Sequence, residues 1–268
     1  MPRELTESDL LLPLERDRLR GNYKEYFKAK RRNFLATIQG FPGLLAAFQL
    51  LDEIWVQEIH DLHGLRDTKQ WLPALFFIHA HLKYRVGMEL AFSCCIVEAW
   101  GVLRVGIESV AYAHKIYREP HLAQTWLAKD RGKSQRKAFE KAFEKDKKDS
   151  LYPAKHGLAK LHEYWRAYSD WGGHTSVVAM ATRFRQTDTA QGVGLYLDYF
   201  ETKEDRIVTS IYSLLDTSWH MEHAFFDVFK TRFHLDPMLV RKRERFERKH
   251  ENLARLILKK YGTTKPKK

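Results

Sequence analysis

Arg104 and Glu108 lie four positions apart in an apolar stretch, and this spacing places both side chains on one face of a helix. At about 100° per residue, Ser93 and Lys115 fall on the same narrow stripe, while the rest of the circumference is almost wholly apolar. Burying an arginine is costly unless a carboxylate or a phosphate partners it. The stripe therefore predicts either an ion pair that fixes helix packing or part of a polar binding pocket at the centre of a bundle.

A second polar group lies at the end of a helix predicted over residues 156–171. Arg166 and Ser169 belong to its last turns, and His174 follows the glycine pair 172–173. A histidine in such a place titrates near neutral pH and can transfer protons, although it can equally cap a helix or bond to a backbone carbonyl. Ser169 lacks the GxSxG context of a nucleophile elbow, so the sequence does not indicate a serine hydrolase.

Histidines also occur in short-spaced pairs, and a spacing of three puts both rings on one helix face, as a metal site needs. The pairs are His60/His63 and His220/His223, at a spacing of three, and His79/His81, at a spacing of two. None belongs to an HExxH motif or to the paired ExxH of di-iron bundles, and the sequence has neither GxGxxG nor a Walker A loop. We therefore expect no metal site and no cofactor.

The elements that must position these residues are mostly helices. Glycine (14) and proline (8) are sparse in 268 residues, and the 44% of hydrophobic residues suffice for a packed core. We predict an all-α multi-helix bundle with a long central helix from Val86 to Arg118, which ends before Glu119-Pro120. The other predicted elements are an N-terminal helix at 4–39 that can break at Gly21-Asn22, a turn at 40–43, a small β-hairpin near 182–200, a helix at 204–233 and a basic helix that begins at Asp236-Pro237.

The net charge of +12 is concentrated in three polar segments. Residues 1–32, 129–160 and 236–268 carry +3, +6 and +8, whereas residues 33–128 and 161–235 carry −2 and −3. Such segments can bind phosphate groups or an acidic partner. Alternatively, they are helix faces exposed to solvent.

The domain organisation follows from the same patterns. We predict a single helical domain over 1–235, with its core at 44–235, and a separate basic C-terminal helix with a disordered tail over 236–268.

The two cysteines and the apolar stretches indicate in which cellular compartment the protein resides. Cys94 and Cys95 are adjacent, and neighbouring helix residues point in different directions, so we expect no disulfide between them. The charged start of the sequence lacks a signal-peptide pattern, and charges interrupt the most apolar stretches well short of the ~20 residues that span a bilayer. We expect a cytoplasmic protein that does not bind a membrane.

Three segments carry a resemblance to known proteins: AFSCCIVEAWGVLRVGIES from Ala91, YREP from Tyr117 and YWRAYSDWGGHTS from Tyr164. Over residues 75–180 they resemble a group of uncharacterised bacterial all-helical proteins with an Arg-x3-Glu and a later Ser and His. That group is distantly similar to the HEPN superfamily of helical bundles, several members of which are RNases of defence and toxin–antitoxin systems.

The resemblance implies roles for two of the residues above. In HEPN RNases an arginine precedes a histidine by four to six residues, whereas here seven residues separate Arg166 from His174. The resemblance implies that Arg166 stabilises the scissile phosphate and that His174 transfers a proton. It also implies a homodimer, because such RNases often form the site at a dimer interface.

Two functions remain open at this point. The first is a non-catalytic helical binding or scaffold protein, whose segments 129–160 and 236–268 contact nucleic acid or an acidic protein, with Arg104, Glu108 and Ser169 as candidate binding residues. The alternative is a HEPN-like, metal-independent ribonuclease with Arg166 and His174 as catalytic residues. The sequence itself assigns no activity.

Overall fold

The structure is a computed structural model, and it describes residues 5–65, 68–144, 151–154, 157–170, 183–189, 192–233 and 236–262. Helices make up most of these residues, and one two-stranded hairpin accompanies them. This confirms the predicted all-α multi-helix bundle with a small hairpin.

The N-terminal region forms three helices. The predicted break at Gly21-Asn22 is confirmed, because a helix begins at Gly21, whereas the prediction of one continuous helix before it is wrong. The three helices are α1 (Glu7–Leu10), α2 (Pro13–Arg18) and α3 (Gly21–Gly40). Pro13 keeps Leu12 in an extended conformation, which separates α1 from α2. Gly21 adopts a φ of +54° at the start of α3, a conformation that glycine tolerates best.

After Phe41, the chain continues as α4 (Pro42–Asp61), with Pro42 in the first turn. The predicted turn at 40–43 is therefore confirmed as the α3–α4 junction.

The predicted central helix is two helices, α5 (Thr68–Phe92) and α6 (Ile96–Arg118), so its prediction as one element is wrong. The chain reverses at Cys94, whose φ is +63°, and the Cys95 N–H donates to the Leu90 carbonyl at 2.8 Å. The two helices then run antiparallel, since His79 bonds to Ser109 while Gly87 lies against Ala99. Ser93 therefore does not belong to the helix that carries Arg104.

The remaining elements complete the bundle around this pair. They are α7 (Leu122–Leu127), α8 (Lys133–Phe139), a π-helical turn (Glu140–Glu144), α9 (Leu158–Tyr168), β1 (Phe184–Thr189), β2 (Gly192–Leu197), α10 (Glu204–Phe229), a 3₁₀ turn (Lys230–Arg232) and α11 (Pro237–Tyr261). The strands are antiparallel, with Phe184 opposite Leu197 and Thr189 opposite Gly192, which confirms the predicted hairpin.

The core lies where α4, α5 and α10 meet. The Trp55 ring stacks on Phe225 at a centroid distance of 5.4 Å, and Phe77 lies 4.5 Å from the same ring. All three side chains are fully buried, and stacked aromatic rings add to the stability that burial provides.

The C-terminal helix α11 packs against α4 and α10 through the buried side chains Leu239 and Phe246. Asp236 caps its start by accepting the Met238 N–H at 2.8 Å, and Pro237 follows at the first helical position, as predicted.

In the described part of the chain, a single helix never combines the length and apolarity needed to cross a bilayer. Only α3 and α4 taken together reach that length and composition, and they are bent by 95° at their junction.

Candidate functional site

The predicted pair of Arg104 and Glu108 is present and joins α6 to α9. The Arg104 Nη2 lies 3.4 Å from the Glu108 Oε1, and the Trp165 indole N–H donates to the same oxygen at 2.8 Å. The guanidinium also lies over the Trp165 ring, 5.7 Å from its centroid. One carboxylate thus holds a cation and an indole, an arrangement that orients α9 against α6.

Burial and the negative charge of Glu108 raise the pKa of two neighbouring tyrosines. Burial, assisted by the nearby Glu108, raises the pKa of Tyr112 to about 12. The same causes raise the pKa of Tyr152 well above its ordinary value, and its buried hydroxyl has no hydrogen-bond partner among the residues described. Both phenols therefore stay protonated at neutral pH, and neither serves as a general base.

Neither Ser169 nor Arg166 takes part in the Arg104–Glu108 pair. The Ser169 hydroxyl is buried and donates to the Trp165 carbonyl at 2.7 Å, which is one turn away from the Arg104–Glu108 pair. Arg166 lies in the last turn of α9 with its side chain exposed to solvent. His174 lies outside the described residues, so the proximity of Arg166 and His174 stays a prediction.

A buried ion cluster that the sequence reasoning missed lies beneath α11. The Arg243 Nη1 contacts Glu222 on α10 and also donates to the Glu58 Oε1 on α4 at 2.7 Å. Both glutamates are 0% exposed, and the guanidinium stacks on the Phe226 ring at 4.0 Å. One cation thus faces two carboxylates, and this cluster joins three helices.

The proton balance of this cluster follows from its burial. Burial raises the pKa of Glu58 to about 8, although Arg243 acts in the opposite direction. Burial also lowers the pKa of Arg243, which nevertheless stays charged at neutral pH. At pH 7 we therefore expect Glu58 to hold its proton while Arg243 pairs with Glu222.

This proton balance predicts a pH dependence of stability. The folded protein keeps the Glu58 proton up to about pH 8, whereas the unfolded chain releases it near the ordinary glutamate pKa of 4.5. Because the folded state then binds more protons across this range, the free energy of unfolding falls as the pH rises. Urea denaturation at pH 5, 6, 7 and 8 should show wild type losing stability relative to Glu58→Gln. Parallel pH profiles of the two proteins would contradict the assignment.

A second polar network joins α9, α10 and α11 around Asp216. The Tyr164 hydroxyl donates to the Asp216 carboxylate, and the His250 Nε2 lies 3.1 Å from its other oxygen. Burial on its own would raise the pKa of Asp216, but the hydrogen bonds from His250 and Tyr164 outweigh it and lower the pKa. Asp216 is therefore an ionised anchor for α11 rather than a proton donor.

The outward face of α11 carries a stripe of cations, which we call the outer stripe. Its side chains recur at intervals of four and three residues and project within about 80° of one another. They are Arg241, Arg245, Arg248, Arg255 and Lys259, with Asn252 at the remaining step. All six are exposed, and within the described ranges none of the five cations pairs with a carboxylate. The glutamates 244, 247 and 251 lie to one side of the stripe.

The basic segment 129–160 is exposed over α8 and the turn after it. Lys133, Lys137 and Lys141 project from α8 and the turn after it at intervals of four residues. Arg136 pairs with Glu140 at 2.9 Å, so part of the positive charge of this segment is compensated locally. The described cations of this segment form a shorter row than those of α11.

Comparison of the chain with known proteins found no matching family, no similar curated protein and no similar solved structure. The described residues contain no group of three or more His, Cys, Asp or Glu side chains that is placed to hold a metal ion. The molecule is thus characterised by its own geometry: an all-α bundle with a firmly anchored helix whose outer face is cationic.

Proposed function

We propose that the protein binds nucleic acid through the outer stripe of α11, and that it does so without catalysing a reaction. The proposal rests on one observation, the row of five exposed cations, none of which forms an ion pair with a carboxylate among the described residues. An arginine or lysine that is free of an intramolecular partner can bind a phosphate without first breaking an ion pair.

The dimensions of the outer stripe support a phosphate backbone as the ligand. From Arg241 to Lys259 the helix rises about 27 Å at 1.5 Å per residue, and side chains three or four residues apart lie about 5–6 Å from one another. A nucleic acid strand presents phosphates repeatedly over such a length. Four of the five cations are arginines, whose planar guanidinium groups bind phosphate through two parallel hydrogen bonds.

The anchored inner face of α11 supports the same proposal. Arg243 and His250 hold α11 to α4 and α10, so the outer stripe is presented on a rigid support. Because the backbone of α11 is already ordered, binding costs conformational entropy only for the side chains that contact phosphate, which favours affinity.

The test is fluorescence anisotropy of the full chain with a labelled single-stranded RNA, a labelled DNA duplex and a labelled poly-glutamate peptide. We expect both nucleic acids to bind, with an affinity that falls about 100- to 500-fold between 50 and 200 mM salt if five phosphates are contacted. Binding of poly-glutamate alone would favour an acidic protein as the partner and would refute the nucleic-acid proposal.

The ribonuclease alternative is supported by one position. Arg166 is an exposed cation at the end of α9, and His174 follows it in the sequence. If these residues form a metal-independent site, mixed RNA should be cleaved in EDTA by wild type, and His174→Ala should abolish cleavage because the proton transfer is lost. Arg166→Ala should lower the rate, since the phosphate loses its cation. Cleavage that is absent, or equal in wild type and His174→Ala, would exclude this site.

A further inference from the structure

A cavity of about 460 Å³ lies between α1, α3 and α5, and among the described residues none of α11 lines it. Phe27, Phe34 and Leu35 of α3 give it an apolar wall. Asp9 of α1 and Ser93, which directly follows α5, also line it. Pockets that bind small molecules have volumes of about 300–1,000 Å³ and combine apolar side chains with a few polar groups. The cavity therefore has the size and the lining of a small-molecule site.

The charged side chains that line the cavity already have partners. The Lys30 Nζ lies 3.2 Å from the Glu89 Oε1, and the Arg31 Nη2 lies 3.0 Å from the Glu15 Oε1. The Asp9 carboxylate accepts the backbone N–H that precedes α1 at 2.8 Å. A charged ligand would lose its hydration without an unpaired charge to receive it, whereas an uncharged ligand avoids this cost. The described lining therefore favours an uncharged ligand.

The Ser93 hydroxyl is a polar group of the cavity that lacks a partner. Ser93 is only 2% exposed, and no hydrogen bond joins its hydroxyl to another described residue. Buried hydroxyls nearly always have a partner, because an unmade hydrogen bond costs free energy. The backbone at this point is fixed, since the Cys95 N–H donates to the Leu90 carbonyl at 2.8 Å across the turn. Ser93 thus keeps an unused hydrogen-bond donor at the cavity.

We propose that this cavity binds a small uncharged molecule that combines an apolar body with one carbonyl group. The body packs against the wall of Phe27, Phe34 and Leu35, where it releases water from apolar surface. The carbonyl oxygen accepts the Ser93 hydroxyl, so the buried donor gains its partner. A site built around such a hydrogen bond discriminates against analogues that lack the group. This site is separate from the outer stripe, and neither depends on the other.

Titration of the full chain with Prodan, an uncharged naphthalene that carries one ketone, tests the proposal through the blue shift of the dye's emission in apolar surroundings. We expect saturable binding by wild type. Ser93→Ala should raise the dissociation constant about 3- to 10-fold, because one hydrogen bond between neutral groups is lost. Its stability in urea should not fall, since the hydroxyl has no partner among the described residues. No saturable binding by wild type, or equal affinities of wild type and Ser93→Ala, would overturn the proposal.

Further measurements separate this cavity from other apolar surfaces. The Ser218 hydroxyl is also buried but donates to the Leu214 carbonyl at 2.7 Å on α10, so Ser218→Ala should leave the Prodan affinity unchanged. Leu35→Trp places a larger side chain in the cavity and should abolish binding, while its circular dichroism matches wild type because the position is half-buried. The anion 2-naphthoate should compete more than about 10-fold more weakly than uncharged Prodan. Prodan binding that survives Leu35→Trp, or tighter binding of naphthoate, would overturn the proposal.

Discussion

Replacing Arg243 by methionine should lower the free energy of unfolding by about 3–5 kcal/mol, the usual cost of removing one partner of a buried ion pair. The guanidinium is the cation that Glu58 and Glu222 share, and both carboxylates are fully buried. Methionine retains the apolar volume beneath α11, so the loss reports the Glu222 carboxylate left without its cation, together with the unpaired Glu58 carboxyl group, and not a cavity. Urea denaturation followed by circular dichroism at pH 7 measures it.

The control for this prediction is Arg241→Met on the same helix. Arg241 is exposed and belongs to the outer stripe, so its replacement should change stability by no more than about 0.5 kcal/mol. The triple variant Arg243→Met, Glu58→Leu, Glu222→Leu should recover most of the lost stability, since it removes the buried charges together. Equal stability of Arg243→Met and Arg241→Met would contradict the structural role of the cluster.

Replacing three arginines of the outer stripe, Arg245, Arg248 and Arg255, by glutamine should weaken nucleic-acid binding about 50- to 200-fold at 0.15 M salt. Each substitution removes one phosphate contact and leaves a side chain with good helix propensity. The three positions are exposed, so the fold and stability should be retained. Anisotropy titrations with the labelled RNA and DNA measure the change.

A control of equal charge separates a specific surface from a general effect of net charge. The variant Arg16→Gln, Arg18→Gln, Lys203→Gln also removes three exposed cations, none of them on α11. It should weaken binding less than about 3-fold, because long-range attraction is screened beyond about 8 Å at this salt concentration. A third variant, Lys133→Gln, Lys137→Gln, Lys141→Gln, reports whether segment 129–160 contributes. Equal losses in all three variants would refute a localised site.

Local signals in the sequence predicted several elements correctly. Asp236 and Pro237 are typical of a helix start, and the structure confirms both the cap and the position of the proline. The strand-like segments around residues 188–192 predicted the hairpin, which is also present. Such elements depend on residues close in sequence, so their pattern is visible without the rest of the fold.

The turn between α5 and α6 could not be predicted in the same way. The chain reverses at Cys94 with a positive φ, although neither glycine nor proline occurs between Ala91 and Ile96. The reversal is stabilised by tertiary contacts, among them the hydrogen bond from the Glu201 N–H to the Cys94 carbonyl at 2.9 Å. A partner more than one hundred positions away leaves no periodic signal in the local sequence.

In the candidate site, too, contacts between residues close in sequence could be predicted, whereas contacts between distant helices could not. The pairing of Arg104 with Glu108 follows from their spacing, but the indole of Trp165 that completes the group comes from a distant helix. The sequence of α11 does contain a pattern that indicates the buried cluster of Arg243, Glu58 and Glu222. Its apolar seam runs through Leu239 and Phe246, and Arg243 lies between them on the same face. A cation in an apolar seam requires a buried carboxylate partner, although the sequence does not identify which one.

The most direct test of the proposed function is the salt dependence of RNA and DNA binding by wild type and by the outer-stripe variant. The slope of log K against log salt concentration counts the phosphates that cations neutralise. We predict that the variant with Arg245, Arg248 and Arg255 replaced has a slope smaller in magnitude by about 2–3. Identical slopes for the two proteins, or nucleic-acid binding that does not depend on salt, would contradict binding through this face of α11.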